Sequence, residues 1–155
     1  MHLGDLISPQ AVIPSLKVKT KKQLLQELSV KTSRLTGLSE RDIFDALWQR
    51  ERLGSTGLGH GVAIPHAKLP ALKQIVGMFA RLAEPIDFDS VDGEKVDLVF
   101  LLLAPEGAGA DHLKALASVS RVLRDGEAVE KLRGSRDAAA LYAVMTEQAA
   151  SSHAA

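Results

Sequence analysis

Three of the five histidines carry the most concentrated chemistry in this chain. His60 and His66 stand six residues apart in the run Arg50-Glu51-Arg52-Leu53-Gly54-Ser55-Thr56-Gly57-Leu58-Gly59-His60-Gly61-Val62-Ala63-Ile64-Pro65-His66. His112 follows Asp111 at the start of a later helical pattern. A free imidazole titrates near ~6.5, so at neutral pH a ring nitrogen is available as a nucleophile. Pro65 stiffens the approach to His66 and suits a ring held in one place. Four glycines, Gly54, Gly57, Gly59 and Gly61, precede it. Glycine permits positive φ and lets backbone N–H groups come close to an anion. The spacing matches neither nucleotide fingerprint. The third glycine of G-x-G-x-x-G would fall at Val62, and no Lys-Ser/Thr pair completes a P-loop. The loop reads equally well as a flexible structural one. His60, His66 and His112 could also serve as a zinc-hydrolase set, although no pair has His-x-x-x-His spacing. Ser55 lacks the G-x-S-x-G elbow of a serine hydrolase.

Composition narrows the field. The chain has 155 residues, no cysteine, and 19 basic against 19 acidic side chains. Thiol catalysis, disulfides and Cys-based metal centres are excluded. Aromatics make up 4% and no strong basic face is visible, so nucleic acid is not an expected partner. The cluster Lys17, Lys19, Lys21 and Lys22 reads as a solvated strand end and helix start. The longest apolar run, Leu98 to Ala104, is seven residues. A membrane helix needs about 20. No secretory signal opens the sequence, so a cytoplasmic location is expected.

The elements that must position these histidines are legible in outline. Residues 10–14 suggest a short strand. Thr20 caps a helix that Gly37 ends, with Gln23 as capping-box partner and Leu24, Leu25, Leu28 and Leu35 as its stripe. Ser39 caps a second helix whose inner face is Ile43, Phe44, Leu47 and Trp48. Strands are expected at 61–64, 75–82 and 96–103. A helix follows from Asp111, with Leu113, Leu116, Val119, Ser120 and Leu123 inward, then helical stretches at 127–133 and 136–147. Helices on both sides of a group of strands predict a single α/β domain with a mixed sheet. The domain is expected over 1–148, with a disordered tail at 149–155.

The Leu58-Gly59-x-Gly61-Val62-Ala63-Ile64-Pro65-His66 core, Leu101-Leu102-Leu103-Ala104-Pro105 and Asp111-His112-Leu113 resemble the enzyme IIA domains of the phosphoenolpyruvate-dependent phosphotransferase system, mannitol/fructose class. The resemblance runs from about residue 5 to 148 and is greatest to the nitrogen-regulatory branch. It implies a sheet of about five strands flanked by helices. It implies that His66 is the phosphorylated nucleophile, that His112 orients the phosphoryl group, and that Arg50, sixteen residues before His66, stabilises charge. The N–H groups at Gly57, Gly59 and Gly61 would line the phosphoryl site. No cofactor or metal is implied, because the donor is the phosphohistidine of a small histidine phosphocarrier protein. The implied function is a phosphocarrier that regulates partners, such as sensor kinases or potassium-transport proteins, by its phosphorylation state. A sugar-specific component passing phosphate to a separate IIB protein is the alternative. His60 occupies a slot often acidic or amide in relatives and is expected to face solvent.

Overall fold

The computed structural model describes the backbone of residues 2–154 and side chains through Glu147. After two 3₁₀ turns, Leu3–Asp5 and Pro9–Ala11, the elements run β1 (Val12–Leu16), α1 (Lys21–Thr36), α2 (Glu40–Arg52), β2 (Gly57–Gly59), β3 (Val62–Ala63), β4 (His66–Leu69), β5 (Val76–Ile86), β6 (Val96–Pro105), α3 (Ala110–Leu123), α4 (Gly126–Arg133) and α5 (Ala138–Ala154). The helix α5 carries the backbone to Ala154, and the tail expected at 149–155 otherwise lies outside the described residues.

Local chemistry sets the helix ends. Thr20 Oγ1 accepts from the Gln23 N–H at 3.1 Å. Gln23 Oε1 reaches one residue beyond the expected box and accepts from Lys19 N–H at 2.8 Å. Such a cap contributes about 1 kcal/mol. Gly37 closes α1 in the left-handed region at φ 77°, donating to Ser33 O. Ser39 caps α2, accepting from Asp42 N–H. Leu24, Leu25 and Leu28 are wholly buried, but Leu35 is 46% exposed and leaves the stripe expected of it.

The six strands form one mixed sheet in the order β1-β5-β6-β3-β2, with β4 also paired to β6. β6 is the axis. It runs antiparallel to β5 on one side and parallel to β3 and β4 on the other. Its residues Leu98 to Ala104 are all buried, as expected of a strand covered on both faces. β1 lies parallel to β5. Along β6, Val62 faces Leu98 and His66 faces Leu102, so β3 and β4 form one strand line interrupted only at Ile64-Pro65. Proline lacks an N–H and ends the ladder there. Leu102 N–H still reaches Pro65 O at 3.0 Å.

α1 packs on α2 and α2 on β4, while α3, α4 and α5 pack together, α5 against β1 and α3 against β6. Phe79, Phe88 and Phe100 are fully buried. Each such side chain contributes about 1.5–3 kcal/mol by leaving water. On α3 the inner face is His112, Ala115, Ser118, Val119, Val122 and Leu123. Leu113 is 69% exposed, contrary to expectation, because His112 takes the inward position one residue earlier.

Candidate functional site

His66 opens β4, and His112 sits in the first turn of α3. The two rings meet edge to face, with centroids 5.7 Å apart and planes at 66°. They are 46 residues apart in sequence and are joined by the register of β4 on β6, which ends just before α3. His66 is half-buried, and its Nδ1 lies 2.8 Å from the carbonyl oxygen of Ile64. A carbonyl only accepts, so Nδ1 carries the proton and Nε2 keeps its lone pair. His112 is 7% exposed, and its Nε2 is buried without a hydrogen-bond partner.

Burial holds the His66 imidazole below its ordinary pKa. The Ile64 hydrogen bond opposes that, the Arg50 guanidinium adds to it, and the Glu51 carboxylate opposes it. Burial likewise lowers His112, with the charges of His66 and Lys68 acting in the same direction. At neutral pH both rings are therefore uncharged. A neutral Nε2 beside a second imidazole with an unsatisfied nitrogen, within the field of a guanidinium, can attack an electrophile and steady oxygens around it.

Arg50 is fixed at the end of α2, where its Nη1 donates to Gly54 O at 2.9 Å. Glu51, the next residue, is 6% exposed. Its Oε1 accepts from Thr56 N–H at 3.0 Å and its Oε2 from the Thr56 hydroxyl. Lys21 Nζ lies 3.1 Å from Oε1 and 4.5 Å from the centroid of the Phe88 ring. Sequence reasoning gave Glu51 no role and placed Lys21 on a solvated face. The signal that could have revealed them is a carboxylate five residues before a threonine at a helix end.

The glycines of the loop have neighbours of their own. Gly57 packs against Ser90, Gly59 against Asp92, and Gly61 against Arg133 and Asp97. Gly61 has φ 82°, and a Cβ there would collide with the Arg133 guanidinium. That guanidinium is paired with Asp97 at 2.9 Å and also donates to His60 O at 2.6 Å. His60 itself is exposed, at φ 55°, with its N–H on Asp92 Oδ2 at 2.9 Å. Among the described residues, the donor atoms that converge as a metal-ligand group belong to His60, Asp92 and Glu94. The zinc set of His60, His66 and His112 considered from sequence is thus not assembled. No described helix is long and apolar enough to cross a membrane.

Known proteins place this architecture. Residues 5–148 match the family model described as phosphoenolpyruvate-dependent sugar phosphotransferase system, EIIA 2. A nitrogen regulatory protein of Bradyrhizobium diazoefficiens is 62% identical over 145 residues, 94% of this chain and 95% of the relative. A fructose-specific EIIA component of Haloferax volcanii is 41% identical over 111 residues, 71% of this chain and 70% of the relative. The crystal structure of nitrogen regulatory protein IIA-Ntr from Neisseria meningitidis superposes with a TM-score of 0.88 at 38% identity, covering 93% of this chain and 99% of that one. The chain belongs to the EIIA type 2 family, a phosphotransferase component of the phosphoenolpyruvate-dependent system.

Proposed function

We propose that this chain is a cytoplasmic histidine phosphocarrier of the nitrogen-regulatory kind, and that the phosphorylated atom is Nε2 of His66. The observation that carries the reading is the hydrogen bond from His66 Nδ1 to Ile64 O, which leaves Nε2 as the free nucleophile beside His112. The donor is the phosphohistidine of the small phosphocarrier protein. The donor P–N bond breaks as the P–Nε2 bond forms, and the proton stays on Nδ1, hydrogen-bonded to Ile64 O. Phosphoryl transfer of this type depends on positioning and charge stabilisation, with little covalent work left for the protein. His112 orients the phosphoryl oxygens, and Arg50 offsets their charge. Leu53, three residues after Arg50 and 85% exposed, and Leu113, next to His112 and 69% exposed, offer apolar contact to a protein donor.

Phosphorylation adds roughly −1.5 to −2 charges. A partner covering His66 would have to bury that charge, which is costly unless it is paired. The phosphorylation state therefore governs binding to regulatory targets, with sensor kinases and potassium-transport proteins as the classes to assay. The test is incubation with phosphoenolpyruvate, the first enzyme of the relay and its phosphocarrier, followed by intact mass. One phosphoryl group, labile in acid and stable in base, is the expected result. Acid-stable or absent labelling refutes the reading. Binding of a captured target should then differ by at least tenfold, about 1.4 kcal/mol, between the two forms.

The identity with the fructose-specific component supports a second reading, in which a separate IIB protein accepts the phosphoryl group. Transfer from the phosphorylated chain to a purified IIB protein distinguishes it.

A further inference from the structure

The backbone around His66 is tied to a buried carboxylate through a continuous series of hydrogen bonds. Glu51 takes both donors of Thr56, its N–H and its hydroxyl. The Thr56 carbonyl accepts from Ile64 N–H at 3.1 Å. The Ile64 carbonyl accepts from His66 Nδ1 at 2.8 Å. These links span the gap left in the strand line by Ile64-Pro65, where β6 cannot hold Ile64 by ladder pairing. The main chain of the same residue also closes the turn that fixes Arg50: Gly54 N–H donates to the Glu51 backbone carbonyl at 3.1 Å, while the Gly54 carbonyl receives the guanidinium.

A carboxylate with 2% of its side chain exposed must be compensated, and Lys21 supplies the counter-charge from the first turn of α1. Replacing Glu51 would leave Thr56 with two unmatched donors, one of them on the backbone. The gap could then open, and Ile64 O would no longer be held against the ring. With that acceptor displaced, the His66 proton is free to move to Nε2, which removes the nucleophilic lone pair.

We propose that Glu51 is a positioning residue for His66: its buried carboxylate holds Thr56, Thr56 holds Ile64, and the Ile64 carbonyl fixes which ring nitrogen carries the proton. This deepens the phosphocarrier reading and rests on it only for the kinetic consequence. Glu51 makes no contact with the reacting atoms.

Long-range proton–nitrogen NMR of the unphosphorylated protein reads the His66 tautomer directly. Wild type and Thr56→Ser should show the proton on Nδ1, because serine keeps the hydroxyl that Glu51 binds. Glu51→Gln and the near-isosteric Thr56→Val should show a mixture of tautomers. Single-turnover transfer from the phosphorylated carrier should slow about 10- to 100-fold in both, with Thr56→Ser near wild type. A folded Thr56→Val with the wild-type tautomer, or with wild-type transfer, overturns the proposal. If Glu51→Gln does not fold, the Thr56→Val and Thr56→Ser pair still decides it. If wild type accepts no phosphoryl group, the phosphocarrier reading falls, and the tautomer comparison alone judges the role of Glu51.

Discussion

His60 and His66 lie on one continuous stretch and share a side chain, yet their surroundings make them opposites. His60 rides an exposed turn, held by backbone contacts to Asp92 and Arg133 while its ring stands in solvent. His66 is half-buried, with one ring nitrogen committed to Ile64 O and a second imidazole 5.7 Å away. The difference arises in the backbone. His60, at a left-handed φ of 55°, lies in the turn between β2 and β3, whereas His66 opens β4 on β6 just after the Ile64-Pro65 interruption. Chemistry at a histidine is decided by what its Nδ1 is bound to and how far water is excluded.

The sharpest contrast is between two alanine substitutions. His66→Ala should abolish phosphoryl uptake, whereas His60→Ala should leave it at the wild-type level, both read by intact mass after the relay reaction. Uptake by His66→Ala, or its loss in His60→Ala, reverses the assignment. Next come the groups present at His66 and lacking at His60. His112→Ala and Arg50→Ala should each slow transfer by about 10²–10³, with unchanged circular dichroism. Stopped reactions over a range of donor concentration measure this. Gly61→Ala addresses the turn that keeps the two histidines apart. A side chain at φ 82° against Arg133 should cost about 1–3 kcal/mol in urea unfolding.

The smallest effect is the dependence on pH. The folded-state pKa values of His66 and His112 lie below the ordinary value. Below about 6.5 the unfolded chain therefore takes up protons that the folded one refuses. Stability is fully present above that pH and falls as pH drops through the two folded values. Urea midpoints should decline with acidification in wild type and decline less in a His66→Ala/His112→Ala double variant. An equal decline in both would show that other groups govern it.

Much of this arrangement can be read from sequence where the determinants are local. Thr20, Gly37 and Ser39 mark helix ends by capping, and the apolar run at 98–104 marks the buried strand. β2 and β4 escape such reading. Gly57-Leu58-Gly59 has no strand propensity and is held by pairing with β3. His66–Leu69 is four residues long and hides behind Pro65. Glu51 looks like an ordinary charged residue in a last helical turn, and only Thr56 and the distant Lys21 make its burial possible. Periodicity points Leu35 and Leu113 inward, but hydrophobicity alone cannot say whether Leu113 or its neighbour His112 faces the sheet. Proximity of His66 and His112 depends on strand register, which no local pattern encodes.

The position of β6 has a consequence for motion. Its amides are bonded to neighbours on both sides and lie under both layers of side chains. Such a strand exchanges its amide hydrogens only through global unfolding. His66 is mounted on that strand through Leu102 N–H and Pro65 O. The nucleophile thus belongs to the slowest-opening part of the molecule, while the His60 turn sits at a sheet edge. Turnover then needs no local unfolding at the phosphoryl-accepting residue, and a mutation that weakens the fold elsewhere should leave the transfer rate per folded molecule unchanged until the whole domain melts.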